Sequence, residues 1–322
     1  MRRAQAREIA TDLPSDVIEV VEASEPEARE GWTTVQVKAA ALNQHDLWSI
    51  KGVGVTAEHF PLGIASDIAG VTPDGREVVV HSLVADPSRG GGTELLDPRR
   101  RMLAEATTGG AADAVLVPDR NLVDKPAGLS FEEAACLPTA WLTAYQMLFV
   151  KAEAKPGDTV LIQGAGGGVS TAAITLASRA GLRVWVTGRD EQRLAAAQKI
   201  GATAVFAAGE RLPARADIVL ETVGAATWDH STKSVRPGGT IVVAGATTGA
   251  KVSLDLMKVF LNHVRILGSS MGTVEQLSSL VAFCVAADIH PAIDSIHSLD
   301  DAQAAVARLE SGEAVGKVII RP

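Results

Sequence analysis

Cysteine is nearly absent from the chain. Among 322 residues only Cys136 and Cys284 are cysteines, and they form no CxxC pair. A disulfide framework or a zinc site built on several thiolates needs more cysteines than this, so both are excluded. We interpret the two residues as small buried hydrophobic side chains, which is the usual place of an isolated cysteine.

Basic charge and long apolar runs are scarce as well. The formal net charge is −8, and the longest basic run is Arg99-Arg100-Arg101, which we interpret as part of a solvated loop. Nucleic-acid binding needs a concentrated basic surface, so no nucleic-acid partner is expected. No stretch reaches the ~20 apolar residues of a membrane helix, and the N-terminus lacks the apolar core of a signal peptide. We therefore expect a cytoplasmic protein without a membrane partner.

The patterns that are present predict two kinds of domain. Short runs dense in β-branched residues fill the first third of the chain, among them TTVQVKAAAL and REVVVHSL. After Ser130, whose spacing to Glu133 is that of a capping box, apolar strands alternate with short helices. Such alternation predicts an α/β fold with a parallel sheet covered on both faces. The expected domains are a β-rich domain at 1–128, a cofactor-binding domain at 129–270 and a return to the first domain at 271–322.

A glycine-rich turn at 160–170, VLIQGAGGGVS, joins a buried strand to a helix. Glycine lets peptide N–H groups approach a pyrophosphate, and the start of the helix adds partial positive charge. Ala165 and Ser170 stand where the strict GxGxxG pattern has its first and last glycine. The position between strand and helix still indicates dinucleotide binding. The residues expected nearest the pyrophosphate are Gly167, Gly168 and Val169.

The end of the next strand indicates which dinucleotide binds. An NAD site normally has an acidic residue there to bind the ribose hydroxyls, but here Thr187 is followed by Gly188 and Arg189. A carboxylate would repel the 2′-phosphate of NADP(H), whereas a guanidinium binds it through two hydrogen bonds. Gly188 and Arg189 therefore predict NADP(H). Asp190 is interpreted as the cap of the following helix, and Arg193 as either a second phosphate contact or a solvated side chain.

The stretch ALNQHDL at 41–47 sets three polar side chains, Asn43, His45 and Asp46, in an otherwise apolar run. They either hold a metal ion or carry out proton and hydrogen-bond chemistry without one. An imidazole titrates near neutral pH and is able to protonate a product, and an amide both donates and accepts hydrogen bonds. Asp46 is interpreted as a hydrogen-bond acceptor that stabilises the fold.

Segments in the right order along nearly the whole chain resemble the medium-chain dehydrogenase/reductase superfamily. They are AAALNQHDLWSIKG, FPLGIASDIAGV, RNLVDKPAGLSFEEAACLPTAWLTAY, QGAGGGVS, VRPGGTIVVAG and GEAVGKVII. The resemblance implies a GroES-like catalytic domain formed by both chain ends, with a Rossmann domain, a doubly wound parallel sheet, between them. It also implies a homodimer formed through edge strands of the cofactor domains, where RILGS is the expected edge strand.

The resemblance also bears on the metal. Zinc-dependent members hold the catalytic ion with a cysteine, a histidine–glutamate pair and a further cysteine or aspartate, and the corresponding positions are Asn43, Ser66-Asp67 and Thr139. Neutral amide and hydroxyl groups are poor zinc ligands, so no catalytic zinc is expected. The segment that corresponds to the structural zinc lobe, 86–113, has no cysteine and is expected to be a surface loop rather than a lid. A different metal site is the alternative, made by His45, His59, His81 and Asp67.

Without zinc, the negative charge that hydride transfer creates on the acceptor oxygen must be delocalised or protonated. Quinones and α,β-unsaturated carbonyls delocalise it into a hydroquinone anion or an enolate. The leading hypothesis is therefore a zinc-independent, NADPH-dependent oxidoreductase that resembles quinone oxidoreductases and alkenal reductases and acts on a small-molecule substrate. The alternatives are an alcohol or aldehyde dehydrogenase in which His45 replaces zinc, and a catalytically silent NADPH-binding protein.

The candidate site residues follow from the motifs and the resemblance together. The expected catalytic residues are Asn43, near the nicotinamide ribose or the substrate, and His45, which falls where zinc-dependent relatives have a hydroxyl of their proton relay. Lys317, in the closing GKVI, either reaches the site or caps a strand. The expected cofactor-binding residues are Thr139, Thr143, Gly167, Gly168, Val169, Gly188, Arg189, Gly224 and Gly245.

Overall fold

The computed structural model describes all 322 residues and divides them into two compact units. The first unit contains both ends of the chain, Met1–Leu142 and Gly272–Pro322, and the second unit is Thr143–Met271. The first unit is rich in β-strands and the second has a parallel sheet with helices, so the predicted fold class is confirmed. None of the helices is both long and apolar enough to span a bilayer.

The regular elements alternate along the chain. The strands are β1 (Arg2–Ala6), β2 (Ile18–Glu22), β3 (Trp32–Ala41), β4 (Leu62–Gly63), β5 (Asp67–Val71), β6 (Glu77–Val80), β7 (Leu83–Val84), β8 (Arg101–Met102), β9 (Ala114–Pro118), β10 (Leu122–Asp124), β11 (Thr159–Gln163), β12 (Arg183–Gly188), β13 (Ala204–Ala207), β14 (Ala216–Glu221), β15 (Val235–Val243), β16 (Arg265–Gly268), β17 (Ile293–Ser298) and β18 (Lys317–Arg321). The α-helices are α1 (Gln44–Ile50), α2 (Leu103–Ala106), α3 (Phe131–Ala135), α4 (Leu142–Tyr145), α5 (Gly168–Arg179), α6 (Glu191–Lys199), α7 (Ala225–Ser234), α8 (Leu256–Leu261), α9 (Val274–Ala286) and α10 (Ala302–Glu310).

The largest sheet of the first unit brings the C-terminal strands beside the N-terminal ones. Its order is β10-β6-β5-β3-β18-β17, with β9 also paired to β3. β18 runs antiparallel to β3, with Ile319 opposite Ala41 and Ile320 opposite Ala40. The N–H of Leu42 donates to Val318 O over 3.0 Å, so this pairing places the start of β18 next to the segment that precedes α1.

The core of the first unit lies against the inner face of this sheet. Along β3 the buried side chains first alternate, as Val35 and Val37 do, and then Ala39–Ala41 are all buried. Small side chains at the end of β3 leave room for α3, which contacts β3 and β5. The continuous apolar cluster therefore joins residues from both ends of the chain, Val35 and Ile68 with Val318 and Ile320.

The second unit is a six-stranded sheet in which every pair of neighbours is parallel. Its order, β13-β12-β11-β14-β15-β16, places the chain reversal between β11 and β14. Ligands of open α/β sheets bind outside the carboxyl ends of the strands at this kind of switch point. All five residues of β11 are buried, and the three in its middle, Val160–Ile162, are apolar, as is usual for a central strand of a parallel sheet.

The passage from the first unit to the second lies in a helical segment. The Ser130 capping box forms as expected, because Ser130 Oγ accepts from Glu133 N over 3.2 Å and Glu133 Oε2 accepts from Ser130 N over 2.8 Å. The sequence placed the first boundary after residue 128, whereas the first unit continues to Leu142, since α3 packs on β3 and β5. Around Pro138 the helix widens into π-helical turns, Leu137–Trp141. Cys136 and Cys284 are buried thiols, as predicted.

Candidate functional site

Asp46 organises the start of α1. Its Oδ2 accepts from Asn43 N over 2.7 Å, and its Oδ1 accepts from Ala65 N over 2.9 Å. Burial raises the pKa of Asp46 to about 6, although these two amides and the neighbouring His45 favour the ionised form. The carboxylate therefore holds α1 against the segment that precedes β5, which is the structural role that the sequence indicated.

A second carboxylate, Asp67, is the centre of a buried polar cluster. We call Asn43, Asp67, Ser82, Thr139 and Lys317 the Asp67 cluster. Asp67 Oδ1 accepts from Ser82 Oγ over 2.7 Å and from Thr139 Oγ1 over 2.5 Å. Asp67 Oδ2 accepts from Asn43 Nδ2 over 2.9 Å and from Lys317 Nζ over 3.1 Å. The Asp67 side chain is fully buried, so all its ionic hydrogen bonds are made within the protein.

Lys317 supplies the positive charge of this cluster. Its ammonium donates to Leu42 O over 2.8 Å, to Asn43 Oδ1 over 2.5 Å and to Asp67 Oδ2 over 3.1 Å, which uses all three of its N–H groups. Only 2% of the Lys317 side chain is exposed. The pairing of β18 with β3 therefore decides between the two roles left open for Lys317, and the side chain reaches the cluster.

These contacts restrict what Asn43 is able to do. Its amide oxygen accepts from Lys317 and its amide nitrogen donates to Asp67. An amide nitrogen carries two hydrogens, so one N–H of Asn43 is left for another partner. Asn43 is thus a fixed donor with little freedom to turn. Its amide oxygen has a second lone pair, so one donor and one acceptor position remain at a fixed orientation, and the role of Asn43 toward a substrate stays a prediction.

The residues at the expected metal positions do not fit a catalytic zinc ion. Asn43, Asp67 and Thr139 are bonded to one another or to Lys317, and Ser66 Oγ accepts from Ala104 N over 3.1 Å. None of these positions offers a thiolate or an imidazole, and an ammonium group already lies among them. Zinc chemistry would need ligands that this set of side chains lacks.

The alternative metal site is not formed. His45 lies near Ser49 and Glu105, His59 contacts Thr56 and Arg101, and His81 contacts Gly272 O, so the three histidines have separate surroundings. Throughout the chain, no three His, Cys, Asp or Glu side chains are grouped as metal ligands. The alternative prediction, a metal site made by these histidines and Asp67, is therefore wrong, because the fold places the three imidazoles in separate surroundings.

His45 has two polar neighbours, one of which the sequence did not reveal. Its Nδ1 lies 3.3 Å from Ser49 Oγ, one helical turn along α1, and its Nε2 lies 3.5 Å from Glu105 Oε1. Ser49 Oγ donates to the same Glu105 oxygen over 3.2 Å. Glu105 comes from α2, far away in sequence, and no local pattern pointed to it. The His45 side chain is 36% exposed, so it is open to a proton donor or acceptor from solvent.

The segment that stands in place of a structural zinc lobe is held by a carboxylate. Asp97 is buried and accepts from Asp86 N over 2.7 Å and from Arg99 N over 2.9 Å. The guanidinium of Arg89 donates to both of its oxygens, over 3.0 and 2.7 Å. The Arg89 hydrogen bonds hold the pKa of Asp97 well below its usual range. A fixed ion pair thus orders a loop that has no cysteine.

In the second unit the glycine-rich turn leads into the uncapped N-terminus of α5. Gly167 precedes α5, which begins without a side-chain cap, so N–H groups of its first turn are available to an anion. A Cβ on Gly167 would meet nothing within 4 Å, so the turn is open there. Gly164 adopts φ +92°, a conformation that favours glycine. Gly168 and Val169 form the start of α5, as the predicted pyrophosphate contacts require.

The two candidate phosphate-binding arginines differ in position. Arg189 is exposed, whereas Arg193 in α6 folds over the glycine-rich turn. A Cβ on Gly166 would lie 2.9 Å from Arg193 Cδ and 3.2 Å from its Nε. Gly188 packs on Leu194, since a Cβ there would lie 2.9 Å from Leu194 Cδ2. Asp190 caps α6 as predicted, accepting from Arg193 N over 2.9 Å.

The later glycines of the second unit pack against neighbouring loops. Gly224 adopts φ +93° before α7, and its N–H donates to Glu221 Oε1 over 2.9 Å. A Cβ on Gly245 would lie 2.6 Å from Thr222 O. Both glycines follow the carboxyl ends of their strands, where a dinucleotide is expected, but close packing of the loops already explains why they are glycine.

The two threonines expected at the cofactor fall in different units. Thr139 belongs to the first unit and donates to Asp67, and Thr143 is a buried residue of the second unit. Buried polar groups are also concentrated at the carboxyl edge of the second unit's sheet. There Thr187 Oγ1 donates to Gln163 Oε1 over 2.5 Å, and Ser231 Oγ donates to Glu221 Oε2 over 2.6 Å. This network was not predicted, because apolar strands give no sign of which polar residue follows them.

Comparison with known proteins links the two units to one family. The family model for zinc-binding dehydrogenase matches residues 168–286. A zinc-type alcohol dehydrogenase-like protein of Schizosaccharomyces pombe is 31% identical, and the match covers 90% of this chain and 91% of that protein. A crotonyl-CoA reductase of Streptomyces avermitilis is 28% identical, with coverage of 91% and 79%.

Solved structures show the same fold. The crystal structure of an NAD-dependent alcohol dehydrogenase is 32% identical, with a TM-score of 0.89 and coverage of 99% of both chains. The 2-octenoyl-CoA carboxylase reductase solved in complex with NADP and 2-octenoyl-CoA has a TM-score of 0.91 at 24% identity, with coverage of 99% of this chain and 87% of that chain. The second likeness concerns the fold alone.

Proposed function

The chain belongs to the medium-chain dehydrogenase/reductase superfamily of oxidoreductases, and from this premise we propose that it is a zinc-independent, NADPH-dependent reductase of an activated acceptor, a quinone or an α,β-unsaturated carbonyl compound. The observation that carries the proposal is the Asp67 cluster. Asn43, Asp67 and Thr139, which the resemblance aligns with zinc ligands, are bonded to one another or to the Lys317 ammonium.

The acceptor class follows from the charge of this cluster. Lys317 and Asp67 form a buried pair with no net charge and no free N–H on the ammonium, so the cluster gives little stabilisation to a localised alkoxide. An enolate or a hydroquinone anion delocalises its negative charge and needs less stabilisation by the protein. Of the two, the unsaturated carbonyl is supported by the crotonyl-CoA reductase relative and by an acryloyl-coenzyme A reductase of Metallosphaera sedula, 26% identical over 94% of this chain.

The second unit provides the features for the proposed cofactor. When bound, NADPH supplies the hydride. The uncapped start of α5 would hold the pyrophosphate, and the guanidinium of Arg193, above Gly166, would lie near the adenosine phosphate together with Arg189. At the end of β12, Gly188 offers no carboxylate to repel a 2′-phosphate. Structures of related fold are complexes with NADP, in line with this choice.

His45 is the proposed proton donor to the reduced product. Its Nε2 lies 3.5 Å from Glu105, which is too long for a strong hydrogen bond, so this nitrogen is the one able to turn to a product carbanion. Ser49 lies beside Nδ1 of the ring and Glu105 beside Nε2, so these two side chains would pass a replacement proton from solvent to the ring. The sum of the reaction adds one hydride and one proton across the reduced bond.

A homodimer is the proposed assembly. β16 is an edge strand of the parallel sheet, and beside it in sequence lies a patch of exposed apolar side chains. The members of this α8 patch are Val252, Leu254, Leu256, Met257, Phe260 and Leu261. Its four members in α8 are 60–67% exposed, which is unusual for large apolar side chains on a monomer. Pairing of two β16 edges would cover them.

The test is a panel of acceptors on metal-stripped protein. We expect NADPH-dependent reduction of an enone or an α,β-unsaturated thioester, weaker reduction of a quinone and none of a simple aldehyde. Activity that returns only when zinc is added would contradict the zinc-independent proposal. Reduction of aldehydes alone would favour the alcohol dehydrogenase alternative, and tight NADPH binding with no acceptor reduced would favour the silent binding protein.

A further inference from the structure

The basic run Arg99–Arg101, here called the arginine triplet, remains without a role in the proposed reaction. All three side chains are exposed, in a chain whose net charge is −8. None of the three guanidinium groups forms an ion pair with a carboxylate. Arg100 donates to Asp97 O, and Arg101 Nη2 lies 2.7 Å from His59 Nε2. Three adjacent unpaired cations repel one another, so an anion would stabilise them.

The nearby acids do not neutralise the triplet because they are buried and bonded elsewhere. Asp97 is paired with Arg89. Glu94 is 2% exposed, accepts from Val274 N over 2.9 Å and lies 3.8 Å from Arg120. The outward face of this loop therefore presents positive charge, although its acids and bases are similar in number.

The triplet is displayed on an ordered backbone. Arg99 N donates to Asp97 Oδ1 over 2.9 Å, and Arg100 N donates to Asp97 O over 3.1 Å. Arg101 begins β8 and is paired with Val84 of β7. Ordered arginines lose less conformational entropy when they bind an anion than arginines on a mobile tail do.

The same loop continues into the proposed catalytic residues. Directly after the triplet, Leu103 N donates to Ser82 O over 2.8 Å and Ala104 N donates to Ser66 Oγ over 3.1 Å. Ser82 is a member of the Asp67 cluster, and the next residue, Glu105, is the neighbour of His45. The triplet and the proposed catalytic residues thus belong to the same unit, and only three residues separate Arg101 from Glu105.

We infer that the arginine triplet binds the phosphate groups of the substrate, and that the substrate is an α,β-unsaturated acyl thioester with a phosphate-bearing nucleotide tail, of the coenzyme A class. Each guanidinium group donates two parallel hydrogen bonds to the oxygens of a phosphate. Three guanidinium groups therefore match a tail that carries more than one phosphate. The cofactor's own phosphates are provided for in the second unit, by α5 and Arg193. The inference rests on the proposed function and adds the substrate class to it.

The experiment compares two thioesters that differ only in the tail. Crotonyl-coenzyme A carries the phosphates, and the crotonyl thioester of N-acetylcysteamine carries none. For the variant R99Q/R100Q/R101Q we expect KM for crotonyl-coenzyme A to rise about tenfold or more, with kcat little changed, and KM for the short thioester to stay as it is. Higher ionic strength should raise KM for crotonyl-coenzyme A in the wild type and much less in the variant.

A matched control removes three positive charges elsewhere in the first unit, at exposed Arg7, Lys38 and Arg321. The variant R7Q/K38Q/R321Q should leave both KM values unchanged. An equal change for both thioesters in the triplet variant, or the same change in the control, would overturn the inference.

A binding measurement separates this inference from the proposed function. Coenzyme A and dephospho-coenzyme A are titrated by calorimetry into protein saturated with NADP⁺, which keeps them out of the dinucleotide site. Binding of coenzyme A that weakens in the triplet variant supports the phosphate site even if no acceptor is reduced. Reduction of enones together with no binding of coenzyme A overturns the phosphate site and leaves the reductase intact.

Discussion

At the scale of single residues, Lys317 and Asp67 form a fully buried ion pair in the first unit. Both side chains are removed from water, and their hydrogen-bond partners are the other members of the Asp67 cluster and, for Lys317, also Leu42 O. Removing one charge of such a pair leaves the other buried and unpaired. The Asp67 cluster therefore affects the stability of the first unit as well as the proposed reaction.

We expect Lys317→Met to lower the free energy of unfolding by about 3–5 kcal/mol, because Asp67 and the amide oxygen of Asn43 lose their donor. The measurement is guanidinium chloride unfolding, with Lys38→Met, at an exposed lysine, as the control. In the double variant Lys317→Met/Asp67→Asn the loss should be smaller than the sum of the single losses. Additive losses would show that the two charges do not interact.

The two arginines of the second unit offer another comparison of single residues. Arg193 is folded over the glycine-rich turn, and Arg189, which the sequence favoured, is exposed. We expect Arg193→Ala to weaken NADPH binding by roughly tenfold to a hundredfold and NADH binding much less, since a charge-assisted phosphate contact is worth about 1.5–3 kcal/mol. Arg189→Ala should have the same selectivity. Fluorescence titration of both cofactors measures this, with Arg179→Ala, at the exposed end of α5, as the control.

At the scale of elements, the loop from Asp86 to Arg100 depends on one carboxylate. Asp97 joins backbone N–H groups from both ends of the loop to the guanidinium of Arg89. This ion pair is local, so the order of the loop depends on the ionisation of Asp97.

For Arg89→Ala we expect faster tryptic cleavage within this loop and a lower melting temperature at neutral pH. The pKa of Asp97 is lowered in the folded state, so its contribution is present above its ordinary pKa of 3.8 and is lost as the pH falls below that value. The difference in melting temperature between wild type and variant should therefore shrink as the pH falls below about 4. A difference that stays constant with pH would show that the Asp97 carboxylate does not hold the loop.

At the scale of the whole molecule, the exposed α8 patch and the edge strand β16 are the features behind the proposed homodimer. The α8 patch follows β15 in the chain, and β16 ends the sheet, so both belong to the second unit. Exposed apolar surface beside an unpaired strand edge favours association with a second copy. The RILGS run named from the sequence is this edge strand.

We expect light scattering to report a dimer for the wild type and a monomer for Leu256→Asp/Phe260→Asp, because two carboxylates cannot be buried in an apolar interface. The control is Val285→Asp, at a half-exposed residue of the first unit, which should leave the dimer intact. A wild-type monomer at micromolar concentration would contradict the proposal.

The sequence by itself determined what depends on neighbouring residues. Apolar strands alternating with helices specified the parallel sheet, since strand and helix periods are local. The turn at Gly164–Gly168 indicated a dinucleotide site, and the amide and hydroxyl side chains at Asn43, Ser66 and Thr139 indicated a site without good zinc ligands. Each of these features is written within one short segment, so it could be recognised before any contact was known.

Only the tertiary structure decided which distant side chains meet. Lys317 reaches Asn43 and Asp67 because β18 pairs with β3, and Glu105 meets His45 because α2 is bonded to Ser66 and Ser82. Arg193 reaches Gly166 because α6 packs beside the turn. Such contacts join residues far apart in sequence, and their geometry is set by strand register and close packing, for which a single sequence carries no local signal.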